Sequence, residues 1–160
     1  PSVEEFRDRI VHTLKLYPYL VAQRETSTNS NASTEIVGYA YAGPLHARAA
    51  YAWSVETSIY VRESERKSGI GKALYSALEK VLAAQNITNV NACIASPETD
   101  DEYLNHNSIQ FHQHLGYSMI GEFHKCAYKF GRWYNMIWME KIIGEHTDDQ
   151  APVKPYSYTE

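Results

Sequence analysis

Only two cysteines, Cys93 and Cys126, occur in 160 residues, too few for the disulfide framework that holds small secreted domains together. Neither belongs to a C-x-x-C pair or stands at metal-ligand spacing from a histidine, so no zinc site is expected and a reducing cytoplasm is the default setting. No run approaches the roughly 20 apolar residues of a bilayer-spanning helix, and no signal-peptide pattern opens the chain. A basic excess is missing too. The formal charge is −4, whereas a nucleic-acid surface calls for a positive domain or stripe. Phenylalanine is scarce, with 4 residues against 13 tyrosines, so most rings carry a hydroxyl and suit half-buried places at core edges or an interface. What remains is a chain with 44% apolar residues, long enough for one soluble domain. Neither a membrane, a nucleic acid nor a metal is called for.

Ser2 and Glu5 form a capping box, and Val3, Phe6, Ile10, Leu14 and Tyr17 recur at helical spacing, which predicts a first helix ending near Pro18. Residues 19–23 read as a short strand, 24–35 (RETSTNSNASTE) as an exposed polar loop, and 36–42 as a strand closed by Gly43-Pro44. In 53–61, WSVETSIYV, the side chains of Trp53, Val55, Thr57, Ile59 and Val61 face one way, and Ser54, Glu56, Ser58 and Tyr60 the other. Ile70, Ala73, Leu74, Ala77, Leu78, Val81 and Leu82 form the clearest helical stripe. A strand over 90–95 follows, then an acidic loop over 97–102 and a helix over 105–115 stopped by Gly116. Strands over 117–126 and 133–142 complete the order. Helix, three strands, helix, strand, helix, two strands is an α/β chain with a mixed sheet and at least one parallel strand–helix–strand unit. One domain over 1–143 and a loose polar tail over 144–160 are expected.

Chemistry concentrates at the junction 59-IYVRESERKSGIGKAL-74. A strand ends, a polar turn follows, and a Gly-x-Gly opens an amphipathic helix, so backbone N–H groups gather at the positive end of a helix dipole. Arg66, Lys67 and Lys72 make this turn basic within an acidic protein. A Walker loop would need Ser or Thr where Ala73 stands, and a Rossmann turn a third glycine where Leu74 stands. The surviving form is R-x-x-G-x-G, and it is similar to the pyrophosphate signature of the GNAT acetyltransferase superfamily. Residues 105-NHNSIQFHQHLGY-117 resemble that superfamily's second signature. Residues 47-ARAAYAWSVETSIYV-61 and 129-KFGRW-133 resemble its phosphinothricin and methionine sulfoximine N-acetyltransferase branch. The resemblance covers about residues 3–143.

It implies a mostly antiparallel central sheet flanked by helices, acetyl-CoA as co-substrate, no metal, and a homodimer. It further implies that Ile59, Tyr60 and Val61 offer backbone groups to the thioester and pantetheine arm, and that Arg66, Lys67, Ser68, Gly69, Ile70, Gly71 and Lys72 cradle the pyrophosphate. Asn105 matches an asparagine that helps hold the cofactor, and a plain helix cap is its other reading. Glutamate is a poor strand former, so Glu56 inside a strong strand calls for a reason. A general base that takes a proton from an alkylammonium supplies one, the branch places its catalytic glutamate there, and an exposed strand face is the alternative. His112 stands where the superfamily often carries a thiolate-protonating acid, and reads equally as a hydrogen-bonded structural histidine. Arg48 matches a basic residue near the acceptor and suits a carboxylate or phosphinate. Tyr51 and Trp53 are candidates for the same pocket, and Lys129, Arg132 and Trp133 for contributions from this chain or a dimer partner.

The reading is an N-acetyltransferase for the primary amine of a small amino-acid-like substrate. Its rivals are a non-catalytic coenzyme A-binding module and an acetyltransferase for peptides or polyamines. Two departures stand out. The chain begins at Pro1, without the strand and helix, roughly 30 residues, that open the superfamily fold, and the acidic segment 97–103 before Asn105 is long.

Overall fold

Small and branched residues line one face of neighbouring strands, and that face receives the long amphipathic helix. The computed structural model describes residues 1–28, 31–97, 99 and 106–157, with the backbone alone for 26–28, 31 and 32. In chain order the elements are α1 (Val3–Leu14), β1 (Tyr19–Thr28), β2 (Asn31–Pro44), β3 (Ser54–Val61), α2 (Ile70–Ala84), β4 (Asn89–Ser96), α3 (Asn107–His114), β5 (Ser118–Lys129) and β6 (Arg132–Ile142). Short 3-10 turns cover Ala49–Tyr51 and Glu63–Glu65. The strands form one sheet in the order β1-β2-β3-β4-β6-β5. Among the described residues only β3 and β4 run parallel, because α2 carries the chain back between them.

The core lies between the sheet and α2. Ala40, Ala42, Val55, Val90, Ala92, Ile94, Ile137 and Met139 meet Leu74, Tyr75, Leu78 and Leu82, all buried. Burying each large apolar side chain contributes about 1.5–3 kcal/mol. The helix approaches β2 closely. A Cβ on Gly38 would lie 3.0 Å from the Tyr60 carbonyl oxygen and 3.3 Å from Leu74 Cδ1, so any side chain there would press on both the β3 backbone and the helix. The opposite face carries Tyr19, Tyr39, Tyr41 and Tyr60 in a ladder of stacked rings, with 4.9 Å between the centroids of Tyr19 and Tyr41 and of Tyr39 and Tyr60. Against this ladder α1 rests Phe6, edge-on to Tyr39. The predicted capping box is present: Ser2 Oγ accepts from the Glu5 amide and Glu5 Oε2 from the Ser2 amide. Yet no α1 residue is buried.

Three expectations are corrected. Residues 24–28 and 31–35 are not a loop. They lengthen β1 and β2 into an antiparallel arm whose register runs from Tyr19↔Tyr41 to Thr28↔Asn31. A polar run signals solvent on the side chains, while the backbone ladder remains free to continue. The third helix spans Asn107–His114 with His106 at its N-cap, and Asn105 lies outside the described residues. Gly116, with φ +88°, stops that helix as expected. The described part of the tail, up to residue 157, is docked rather than loose. Trp53 Nε1 donates to the Ala151 carbonyl (2.7 Å), Asn86 Nδ2 to that of Pro152 (2.8 Å) and Gln85 Nε2 to that of Lys154 (2.8 Å). Val153 packs on the core. Only tertiary partners reveal this, because the tail has no periodicity of its own.

Candidate active site

Two parallel strands that part company make the site. β3 and β4 pair only at Ser54↔Asn89, Val55↔Val90 and Glu56↔Asn91, although β3 continues to Val61 and β4 to Ser96. Side chains seal the fork. Asn91 Nδ2 donates to the Val55 carbonyl and Thr57 Oγ1 to the Asn91 carbonyl, each at 3.1 Å. Beyond that point the β4-facing edge of β3, which includes Ile59, Tyr60 and Val61, has no strand partner among the described residues. Unpaired peptide groups in a slot suit a ligand with amides and a carbonyl of its own. Asn91 escaped the sequence reading, although an asparagine inside a strand is a usable signal.

At the open end of the slot β3 passes through the Glu63–Glu65 turn into α2. Lys67 (φ +63°) and Gly69 (φ +86°) are both left-handed, a conformation that turns successive N–H groups to one side. Gly69 is the N-cap of α2 and brings no side chain of its own to the cap, so the first amides of the helix stay available. A Cβ on Gly69 would meet nothing within 4 Å, leaving room for an anion. Gly71 has a different reason. Its Cβ would stand 3.0 Å from Cε2 and Cζ of Phe111, so this glycine lets α3 lie against α2. Arg66, Lys67, Ser68 and Lys72 are exposed around the turn.

Glu56 is the last paired residue of β3 before the fork and stands on the tyrosine-bearing face. It is half-buried, and this burial pushes its carboxyl pKa up. Its register partner Asn91 is in turn paired with Glu140. A second carboxylate thus shares the face, about 10 Å away at two strand spacings. Cys93, two residues beyond Asn91, is half-buried there too, and burial followed by the charge of Glu56 raises its thiol pKa.

His112 is sealed on the other side of the sheet, only 3% exposed. Its Nδ1 lies 2.7 Å from the Ser108 carbonyl oxygen and its Nε2 3.1 Å from the Tyr75 hydroxyl. A carbonyl only accepts, so Nδ1 carries the hydrogen and Nε2 accepts from Tyr75. The rings of Tyr75, Phe111 and Tyr117 surround it at 5.2–5.4 Å. Burial lowers its pKa, outweighing the bond to Ser108. Both nitrogens are engaged and the neutral form is favoured, so the geometry supports the structural reading of His112 over that of a proton donor.

The expected acceptor residues are scattered. Arg48 precedes the Ala49–Tyr51 turn, exposed, its amide bonded to His46 Nδ1 at 3.2 Å, and Tyr51 leans on the His46 ring. Trp53 stands in the turn that leads into β3, and its indole N–H is committed to the tail. A cavity of about 410 Å3 opens beside Trp53, Ser54, Asn89, His146 and Gln150, at the end of β3 and β4 away from the fork. Lys129 and Arg132 pair across a hairpin turn, in which Phe130 (φ +54°) and Gly131 (φ +73°) are left-handed. Glu56 is level with Glu140, and eight strand residues separate Glu140 from Arg132, roughly 25 Å. Within one chain these cations do not meet Glu56.

This architecture agrees with the comparisons to known proteins. Residues 1–138 match the model of the acetyltransferase (GNAT) domain. The chain is 33% identical over 152 residues to the phosphinothricin N-acetyltransferase of Streptomyces viridochromogenes, covering 95% of this chain and 74% of that protein. It is 34% identical over 124 residues to the L-methionine sulfoximine/L-methionine sulfone acetyltransferase of Pseudomonas paraeruginosa, covering 78% and 64%. The crystal structure of a GNAT phosphinothricin acetyltransferase from Sinorhizobium meliloti in complex with AcCoA superposes with a TM-score of 0.76 at 30% identity, covering 99% of this chain and 81% of that one. This chain belongs to the GNAT acetyltransferase family. It spans 74% and 64% of the length of these two curated relatives.

Proposed function

We propose that the chain transfers the acetyl group of acetyl-CoA to the primary amine of a small amino-acid-like substrate of the phosphinothricin or methionine sulfoximine type, with Glu56 as general base. The observation that carries the reading is the fork between β3 and β4, with a half-buried carboxylate at its vertex. Glu56 takes a proton from the ammonium, directly or through a water, and so frees the nitrogen lone pair. The nitrogen attacks the thioester carbonyl, whose oxygen is held by β3 amides in the Ile59, Tyr60 and Val61 segment. The C–N bond forms, the C–S bond breaks, and the proton left on nitrogen passes to the departing thiolate. A glutamate with a raised pKa is a better proton acceptor than an ordinary one. No covalent enzyme intermediate is involved.

The active form is a homodimer in the cytoplasm. Phe123, Tyr128, Phe130 and Trp133 are each more than half exposed on the β5–β6 hairpin, an apolar surface of the kind that subunits cover. Dimerisation would let Lys129 and Arg132 of one copy serve the acceptor face of the other. Cys93 and Cys126 are unbridged, as in a reducing compartment.

The test is thiol release from acetyl-CoA with methionine sulfoximine, phosphinothricin, ordinary amino acids, spermidine and a short peptide. Release with the first two supports the proposal. Release with spermidine or the peptide alone moves the acceptor class. Folded protein that releases none is a binding module.

A further inference from the structure

The cofactor turn is held from outside by the strand arm that its sequence disguised as a loop. Arg24 on β1 reaches Glu65 at the end of the Glu63–Glu65 turn, with Nη2 2.6 Å from Oε2. The Glu65 side chain is only 12% exposed, and its carbonyl accepts a hydrogen bond from Ser68 Oγ, one residue before Gly69. A second point of attachment lies at the start of the turn. The Arg62 amide bonds to the Val37 carbonyl at 2.9 Å, while its guanidinium meets Glu35 at 2.7 Å and the Ile36 carbonyl at 3.1 Å. The arm therefore grips both ends of the segment that leads into the left-handed residues Lys67 and Gly69.

Charge points the same way. An anion-receiving turn that contains two carboxylates repels its ligand unless they are neutralised. Glu63 has Arg66 at 3.7 Å within the turn, but the more buried Glu65 depends on Arg24, forty-one residues away. We infer that Arg24 is a positioning residue for the pyrophosphate of acetyl-CoA. By pairing with Glu65 it fixes the 62–69 turn before the ligand arrives and cancels a negative charge beside the phosphates. Preorganisation of this kind raises affinity without any contact to the ligand. The inference rests on the cofactor reading above.

The experiment titrates coenzyme A by calorimetry, and pantetheine, which lacks the pyrophosphate, by NMR, into wild type, Arg24→Met and Arg24→Lys. Arg24→Met is expected to weaken coenzyme A about threefold to fivefold, the range of a partly exposed ion pair, and to leave pantetheine unchanged. Arg24→Lys keeps the charge and stays within about twofold of wild type. Glu65→Gln serves as the second variant should Arg24→Met fail to fold. It removes the repulsion together with the bridge, so it is expected to weaken coenzyme A by less than about threefold and to leave pantetheine unchanged, and a loss shared by both ligands overturns the inference. Equal coenzyme A affinity in wild type and Arg24→Met overturns the inference, as does a loss shared by coenzyme A and pantetheine. Wild type that binds no coenzyme A sinks the cofactor reading itself, a separate outcome.

Discussion

At the proposed cofactor end of the sheet one contiguous stretch of chain supplies the slot edge, the basic turn and the helix N-terminus, from Ile59 to Lys72. The proposed acceptor face draws instead on distant pieces: Glu56 in β3, Glu140 in β6, the tyrosine ladder of β1 to β3, and a hairpin tip that does not reach Glu56 in its own chain. The first region is also braced. Arg24, Arg62, Gly38 and Phe111 each fix part of it. The second is open, with α1 burying none of its residues and Val3 81% exposed. A phosphate is bound by backbone geometry that a local motif can encode. An amine with a variable side chain is bound by side chains brought together from several elements.

Substitutions can pull the two regions apart. Glu56→Gln is expected to lower kcat about 10²–10⁴-fold, the usual yield of a positioned base, with the KM for acetyl-CoA within about twofold. A rise in that KM would show that the regions are not separable. The pH profile sharpens the same point. A general base works only when deprotonated, and burial raises the pKa of Glu56, so if Glu56 is that base kcat/KM should climb with pH through a value above the ordinary carboxylate range. Glu56→Gln should abolish that limb.

Gly71→Ala acts on the cofactor side. Its Cβ meets Phe111 at 3.0 Å, so a loss of about 1–3 kcal/mol in denaturant unfolding is expected, with a weaker KM for acetyl-CoA. Phe111→Leu in the same background should return part of both.

His112→Asn tests a residue that belongs to the framework beneath both regions. Loss of its bonds to Ser108 and Tyr75 should lower stability by about 1–3 kcal/mol at pH 7.5, while kcat of the folded fraction changes less than about threefold. A 100-fold fall in kcat would restore the acid role. Burial depresses the folded pKa of His112, so as pH falls below about 6.5 the unfolded chain takes up a proton that the folded chain refuses. Wild-type stability is therefore present above that pH and lost as pH drops through the depressed value, and His112→Asn should flatten this dependence. The smallest effect is expected of Trp53→Phe. It deletes the bond to Ala151 and should lower the unfolding free energy by about 1 kcal/mol, with the acceptor KM unmoved. A changed acceptor KM would return Trp53 to the pocket.

Much of this architecture is legible in the order of residues. The alternation of 53–61 sets Glu56 on the face opposite α2, the capping box of Ser2 and Glu5 forms, and Gly116 stops α3. Sequence patterns mislead wherever polarity is taken for irregularity. Residues 24–28 and 31–35 are strand, and the tail docks through Ala151, Pro152 and Lys154. Nor do they separate two histidine roles that differ only in surroundings, since nothing in the spacing of His112 announces Tyr75 at its Nε2. The two glycines of the cofactor turn look alike in the same way, although one is needed for its φ and the other for its neighbour Phe111.

The sequence by itself determined the order of elements, the family resemblance and the glycine-opened turn before α2, because each rests on periodicity or on backbone preferences that act within a few residues. Tertiary structure alone decided where β3 and β4 part, that Arg24 pairs with Glu65, and that Lys129 and Arg132 lie far from Glu56. Those outcomes depend on strand register and on contacts across the fold, and both are set by the joint burial of all the elements together.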